Sequence, residues 1–371
     1  MIITILVFLL ILSVLVLIHE AGHFLVAKKF GIKVEEFGFG LPPRAFGKKI
    51  GETIYSVNWL PIGGFVKLYG EDEAGAGRIA PSDERKAISK DLNRAFFARP
   101  VWQRALVIIA GVAMNFLLAV VIISYLFGVS GIQVPGNKVI ITAVVKDSPA
   151  QVAGLVVGEE VIAINNTKVT SPNQLVDSIK SYLGKEITLK ILKDSKEENI
   201  RITPRKDYPK NEGPMGVSIS QNIETKKYPV YQAPIEGLKE ATKDSWLIVS
   251  GVGMVIYQLI IHGVVPQGVA GPVGIAQLTG QFVQIGPIAV LSFVSLLSLN
   301  LAVLNILPIP ALDGGRLFFI LIEGVTRKKV NQKFEGYAHA VGMAMLIFLI
   351  ALITIHDLIR VFNKVPIIPT P

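Results

Sequence analysis

The chain has 371 residues, 51% of them hydrophobic and only 18% charged, with a mean hydropathy of +0.53. A water-soluble domain seldom averages so apolar, so this reads as an integral membrane protein carrying some soluble mass. Cysteine is absent, which excludes disulfides and thiolate metal sites and leaves His, Asp and Glu to hold any metal. The formal charge of +9 would suit a nucleic acid, but Lys and Arg fall largely in loops beside apolar segments, where they set topology and meet anionic membrane lipid; no nucleic-acid partner is expected.

The apolar run from Ile2 to Val26 has no basic leader and no small-residue cleavage site after it, so it reads as a retained first membrane helix. Three further segments reach the length of about 20 residues that a bilayer crossing takes. They are Ala105 to Gly128, Ile288 to Leu307, and Tyr337 to Ile355. A fifth, "WLIVSGVGMVIYQLII" from Trp246 to Ile261, is shorter, holds Gly251 and Gly253, and ends at His262. The loop from Lys28 to Arg104 ("KKFGIK", "GKK", "DERK") and the stretch from Arg316 to Lys329 are basic, which marks both as cytoplasmic. Four crossings put them on one face and a fifth would separate them, so Trp246 to Ile261 is taken to lie at the interface. Residues 129 to 287 then lie outside. From Lys138 they show a strand-like "VIITAVV", a helix-like "PNQLVDSIKSYL", and strand candidates "EITLKILK" and "NIRITP", the pattern of a small β-sheet domain with one or two helices.

The first helix ends in "HEAGH". On a helix His19 and His23 return to nearly the same direction one turn apart and can bind one ion. Glu20 projects about 100° away, beside the ion, where it can take a proton from water. Placed at mid-bilayer such a carboxylate costs ~2.5 to 3.5 kcal/mol, so its presence asks for a role. A catalytic zinc wants a third protein ligand and one open position. His262 and His356 fall on the external side. Asp313, in "NILPIPALDGGR", follows the third helix at the cytoplasmic end, at the depth of His23, and is the expected third ligand, with His339 in reserve. Pro308 and Pro310 break the helix, and Gly314 and Gly315 let the chain turn so that Asp313 aims inward.

Taken together, "HEAGHFLVAKKFGIKVEEFGFG", "ARPVWQRALVIIAG", "GPVGI" at Gly271 and "NILPIPALDGGR" resemble the site-2 protease family, the M50-type intramembrane zinc metalloproteases, in its bacterial branch with a PDZ domain. The resemblance covers nearly the whole chain in order. It implies a zinc endopeptidase of the bacterial cytoplasmic membrane that cuts single-pass transmembrane proteins within the bilayer, with anti-sigma-factor-like proteins or remnant signal peptides as substrates. By motif, His19, His23 and Asp313 would be the Zn2+ ligands and Glu20 the catalytic base, with the active site toward the cytoplasm. The implied fold is a polytopic α-helical membrane protein of about four transmembrane helices, with a membrane-associated β region and an inserted extracytoplasmic PDZ-like α+β domain. Residues 1–128 and 288–371 would be the two halves of the protease core, 129–208 the PDZ-like domain, and 209–287 a linker with an interfacial helix.

One departure stands out: Val112 occupies a position where the family often has proline, although Gly111 and Asn115 remain, four apart on one face. Asn115 would help hold the substrate or its oxyanion, or else bond between helices. Asn300 and Asn305 are substrate contacts by resemblance; five residues apart, they diverge by about 140° on a regular helix. The segment "VEEFGFGLPPRAFGKKIGETIYSVNWLPIGGFVKLYG" has the strand-like pieces to receive an unwound substrate as an added strand, and the PDZ-like domain would bind a peptide or trimmed substrate. Two rivals remain at this level, a non-proteolytic PDZ-bearing scaffold and a metal transporter. The first would be expected to lose Glu20 or a ligand; the second needs polar positions across the bilayer, where only scattered Asn appear.

Overall fold

A computed structural model of the chain describes residues 2–71, 92–193, 196–209, 212–263, 266 and 268–363; "DERK" and Lys90 in the basic loop lie outside them. Two compact units make up the protein, one of Met1–Gly128 with Pro229–Pro371 and the other of Val129–Tyr228.

The first unit begins with helix α1 (Ile2–Lys29), whose mostly Ile, Leu and Val run can face lipid while the backbone groups of its interior bond within the helix. Lys28 and Lys29 complement its C-terminal dipole, and Gly31 at φ +70° ends it. A long antiparallel hairpin follows, β1 (Val34–Ile50) and β2 (Thr53–Leu68), turning at Gly51 and Glu52. Its ladder breaks between Leu41 and Arg44, where Pro42 and Pro43 have no N–H to give. The end of the hairpin beyond that break exposes Phe46, Val57, Trp59, Leu60 and Ile62. Both this end and the turn at Gly51 and Glu52 are tied to α1. Glu52 accepts from Lys28 at 2.8 Å and from Arg94 at 2.7 Å, and these hydrogen bonds hold its carboxyl below the usual carboxylate range. Ser13 donates to the Pro61 carbonyl at 3.0 Å.

Helix α2 (Val101–Val129) completes the first half of this unit. After the second unit come α5 (Ala233–His262), α6 (Pro272–Ile285), α7 (Pro287–Ile306), α8 (Asp313–Thr326) and α9 (Gln332–Phe362). Among the described residues four helices are long and apolar enough to cross a membrane: Ile3–Lys29, Val101–Val129, Pro287–Ile306 and Lys333–Phe362. They are the four segments expected from the sequence; the first, second and fourth run a few residues past their apolar centres, and the third ends at Ile306. Apolar contact between such helices gives little preference over lipid, so close approach and polar ties hold them. Arg104 on α2 makes a bidentate pair with Glu323 on α8, at 2.8 and 3.1 Å. Asp357 on α9 is fully buried. It accepts from Gly271 N and Gly274 N at the start of α6 (2.9 and 2.7 Å), with Arg360 at 3.1 Å from its other oxygen. The "GPVG" stretch therefore seats a helix N-terminus on a carboxylate.

The second unit is a six-stranded antiparallel sheet in the order β7-β6-β4-β3-β8, with β5 paired to β4. Its strands are β3 (Ile132–Val144), β4 (Glu160–Ile164), β5 (Thr167–Lys168), β6 (Ile187–Lys193), β7 (Lys196–Ile202) and β8 (Val217–Lys226). Helices α3 (Pro149–Val152) and α4 (Pro172–Lys180) each start at a Ser-Pro-x-Gln sequence. Ser148 and Ser171 accept from Gln151 N and Gln174 N, and each glutamine reaches back to the residue before its cap. Val139, Ile141, Val161, Ile164, Leu175, Ile187, Leu189 and Ile191 form the core, each burial stabilising by roughly 1.5 to 3 kcal/mol.

The boundary drawn at 208 falls too early. Strand β8 pairs along β3 from Ile132↔Lys226 to Val144↔Val217, so the compact unit runs to Tyr228. Its sequence, "VSISQNIETK", is polar because β8 is an edge strand with only one face half-buried, and polar edge strands carry a weak hydropathy signal.

Removing the Asp357 carboxylate would leave the Gly271 and Gly274 N–H groups without their acceptor and take the buried counter-charge from Arg360. Asp357→Ala is expected to lower stability to unfolding in mixed micelles by about 3 kcal/mol; a loss under about 1 kcal/mol would mean the tie carries little.

Candidate active site

His19 and His23 lie one turn apart near the end of α1, their rings edge to face with centroids 4.8 Å apart. Their Nε2 atoms are 3.1 Å from each other and 2.8 and 3.3 Å from Oδ2 of Asp313. A tetrahedral ion with bonds of about 2.0 to 2.1 Å spaces its ligand atoms about 3.3 Å apart, so this triangle of donors has nearly the size an ion requires. Among the described residues no other group of three His, Asp or Glu side chains converges in this way.

The proton positions fit as well. His23 Nδ1 donates to the Val107 carbonyl on α2 at 2.8 Å, which puts the ring's proton on Nδ1 and leaves the Nε2 lone pair facing the other donors. Asp313 sets one carboxylate oxygen, Oδ2, against both ring nitrogens. Two buried neutral nitrogens and one carboxylate oxygen are the donor chemistry of a zinc site with one position left open.

Backbone sterics deliver Asp313. After α7 ends at Ile306, the chain folds back over the first turn of α8. The Leu307 and Ile309 carbonyl oxygens fill the places where side chains at 314 and 315 would start, so only Gly314 and Gly315 fit. From α2, Gly111 faces the imidazoles: a Cβ there would overlap His23 Nε2 and come within 2.9 Å of His19 Cε1.

Glu20 stands beside the triangle. Its Oε2 accepts from Val66 N on β2 at 3.0 Å. It lines two cavities that share Ala311 and Asp313. One, about 440 Å³, is walled by Phe65, Val66 and Lys67 of β2 and by Glu71 and Arg316, which pair with each other. The other, about 200 Å³, is lined by Val16, His19, Asn115, Leu301 and Asn305. Asn115 is fully buried, and neither atom of its amide has a hydrogen-bond partner among the described residues.

Two expectations are corrected. Asn300 is not brought to the site: it lines neither cavity, and its amide donates to Leu296 O of its own helix at 2.9 Å. On the regular α7 it points away from Asn305, as their spacing implies. His339, held in reserve, is not among the three converging donors; its Nδ1 accepts the Ala311 N–H at 2.9 Å. The Val66 N–H and the Val107 carbonyl were missed altogether, since main-chain groups leave no mark in a residue pattern.

A profile described as Peptidase family M50 matches residues 7–349. The chain belongs to peptidase family M50. It is similar to the zinc metalloprotease RasP of Geobacillus kaustophilus, at 30% identity over 96% of this chain and 97% of that one. The regulator of sigma-W protease RasP of Bacillus subtilis is 29% identical over 97% of this chain and 99% of its own. A Clostridium perfringens protein is 36% identical over 94% and 96% of the two chains. The PDZ domain of an SdrC-like protein from Listeria innocua matches 23% of this chain and 96% of its own at 24% identity, but its TM-score of 0.21 decides nothing about the fold. Family membership and the four apolar helices make the protein a membrane-embedded zinc metalloendopeptidase with Zn2+ as its cofactor.

Gly111→Ala tests the packing of the site. The added methyl displaces both imidazoles, and zinc affinity, read by competition with a chelator, is expected to fall at least roughly tenfold, as it does when the surroundings of metal ligands are disturbed. Unchanged affinity would show that the helices have room to spare.

Proposed function

We propose that His19, His23 and Asp313 hold the zinc and that Glu20 is the general base of an endopeptidase cutting single-pass membrane proteins inside the bilayer. The convergence of three ligand atoms on one face of Glu20, with His23 fixed in the ligating tautomer, carries this reading. Zinc bound there would supply a Lewis acid and make water acidic enough to lose a proton near neutral pH. Glu20 takes that proton as the oxygen attacks the scissile carbonyl, and gives it to the departing amine as the C–N bond breaks. The Val66 N–H fixes one oxygen of Glu20 and leaves the other to face the substrate. Asn115, whose N–H groups have no acceptor among the described residues, would donate to the developing oxyanion, and Asn305 would contact the same stretch of substrate.

A substrate helix must unwind before its carbonyl is open to water, and its freed backbone needs partners. Strand β2 offers them. Because the Val66 N–H points toward Glu20, that edge of the hairpin faces the site, and an extended segment lying along it would cross the zinc between the two cavities. The exposed aromatic and aliphatic end of the hairpin suits a β region dipping into lipid. The Lys and Arg bias supports an active site toward the cytoplasm, residues 129–228 outside it and α5 along the interface, its first half carrying Glu236, Lys239, Glu240 and Lys243. In a bacterial cytoplasmic membrane, an external PDZ-like unit would bind a peptide or trimmed substrate. The name of the Bacillus subtilis relative, a regulator of sigma-W protease, supports anti-sigma-factor-like substrates, with remnant signal peptides as the other class.

In proteoliposomes with a single-pass model substrate, Glu20→Gln is expected to keep its zinc and to cut at least about 100-fold more slowly than wild type. Equal cutting by both proteins, or a variant that loses the metal, defeats the assignment of Glu20 as base. For topology, cysteine at position 329 in place of Lys329 should label from the cytoplasmic side of intact cells and one in place of Lys193 from outside. Labelling of both from one side would sink the four-crossing arrangement.

A further inference from the structure

Helix α9 runs beside the loop that delivers Asp313, and two of its residues on one face, His339 and Gly342, meet that loop. At Gly342 the Pro310 carbonyl carbon lies 2.8 Å from where a side chain would begin, so the loop rests on bare helix backbone. One turn earlier, the Ala311 N–H donates to His339 Nδ1 at 2.9 Å. The imidazole is buried and packs against Phe319 of α8 at 5.7 Å between ring centroids, so its own orientation is fixed. Ala311 has φ +80°, in the left-handed region that an L side chain seldom keeps without outside support. Asp313 follows two residues later, and a change of φ at 311 would swing its carboxylate off the histidines.

We infer that His339 is a positioning residue for the zinc: by accepting the Ala311 N–H it holds Ala311 left-handed and thereby aims Asp313 at His19 and His23. This rests on Asp313 being the third ligand. His339 lines neither cavity and is not one of the three donors, so its effect should appear in metal binding. It should also be replaceable, either by another acceptor at the same place or by a residue to which left-handed backbone comes freely. Asparagine at 339 can offer its side-chain oxygen near the Nδ1 position. Glycine at 311 needs no help to hold φ +80°.

The test uses the full-length protein in detergent, stripped of metal and titrated with Co2+ against a chelator, reading both affinity and the visible spectrum of four-coordinate cobalt. His339→Ala is expected to weaken binding by roughly 10- to 100-fold. His339→Asn should stay within about threefold of wild type, and Ala311→Gly added to His339→Ala should recover most of the loss. Unchanged affinity in His339→Ala, or a loss that neither His339→Asn nor Ala311→Gly repairs, overturns the inference. Asp313→Ala separates the two levels. If it abolishes the cobalt spectrum while His339→Ala binds normally, only the positioning role falls. If Asp313→Ala itself binds cobalt as wild type does, the ligand reading beneath it falls.

Discussion

The chain after α7 turns back so tightly that its carbonyl oxygens occupy the space where side chains would begin on the first turn of α8. That close approach at Gly314 and Gly315 decides where Asp313 points, and the rest of the site is built around it. The two histidines come as a pair from one turn of α1, which any regular helix would supply. The third donor arrives from 294 residues away in sequence, through a loop whose direction depends on gaps smaller than a methyl group. A metal site with one local and one distant half is only as well defined as the distant half.

The ion pairs in this unit follow the same logic. Arg104 with Glu323 ties α2 to the far end of α8, Arg316 with Glu71 ties its first turn to the segment after β2, and Asp357 seats α6 on α9. Among lipid-like surfaces such ties give helices a unique register that apolar contact does not. The helix bearing Asp313 is thus held at both ends, while the first turn of the site helix, α1, is held by none of them.

What could be read in the sequence followed the range of the signal. The four apolar runs, the His19–Glu20–His23 spacing and the Asp313 turn are local patterns with one dominant physical cause each, lipid burial or helical period, and they appear in the structure where they were expected. Strand β8 was lost because an edge strand needs only half a hydrophobic face. Asn300 was grouped with Asn305 by resemblance against the helical angle between them, and the angle prevailed. His339 looked like a spare ligand because residue type shows what a side chain can bind and not which of its atoms is already engaged.

The hydrogen bond from His23 to Val107 has a consequence for how the site tolerates mutation. Its acceptor is a main-chain carbonyl, which every amino acid provides, so no substitution at 107 deletes the group that sets the histidine's tautomer. What can be lost is the distance. α1 and α2 meet at Gly22, where a side chain would begin 2.7 Å from the Ala110 carbonyl carbon, and at Gly111 over the imidazoles. The genetic vulnerability of this histidine therefore lies in two residues with no side chain and no chemistry of their own.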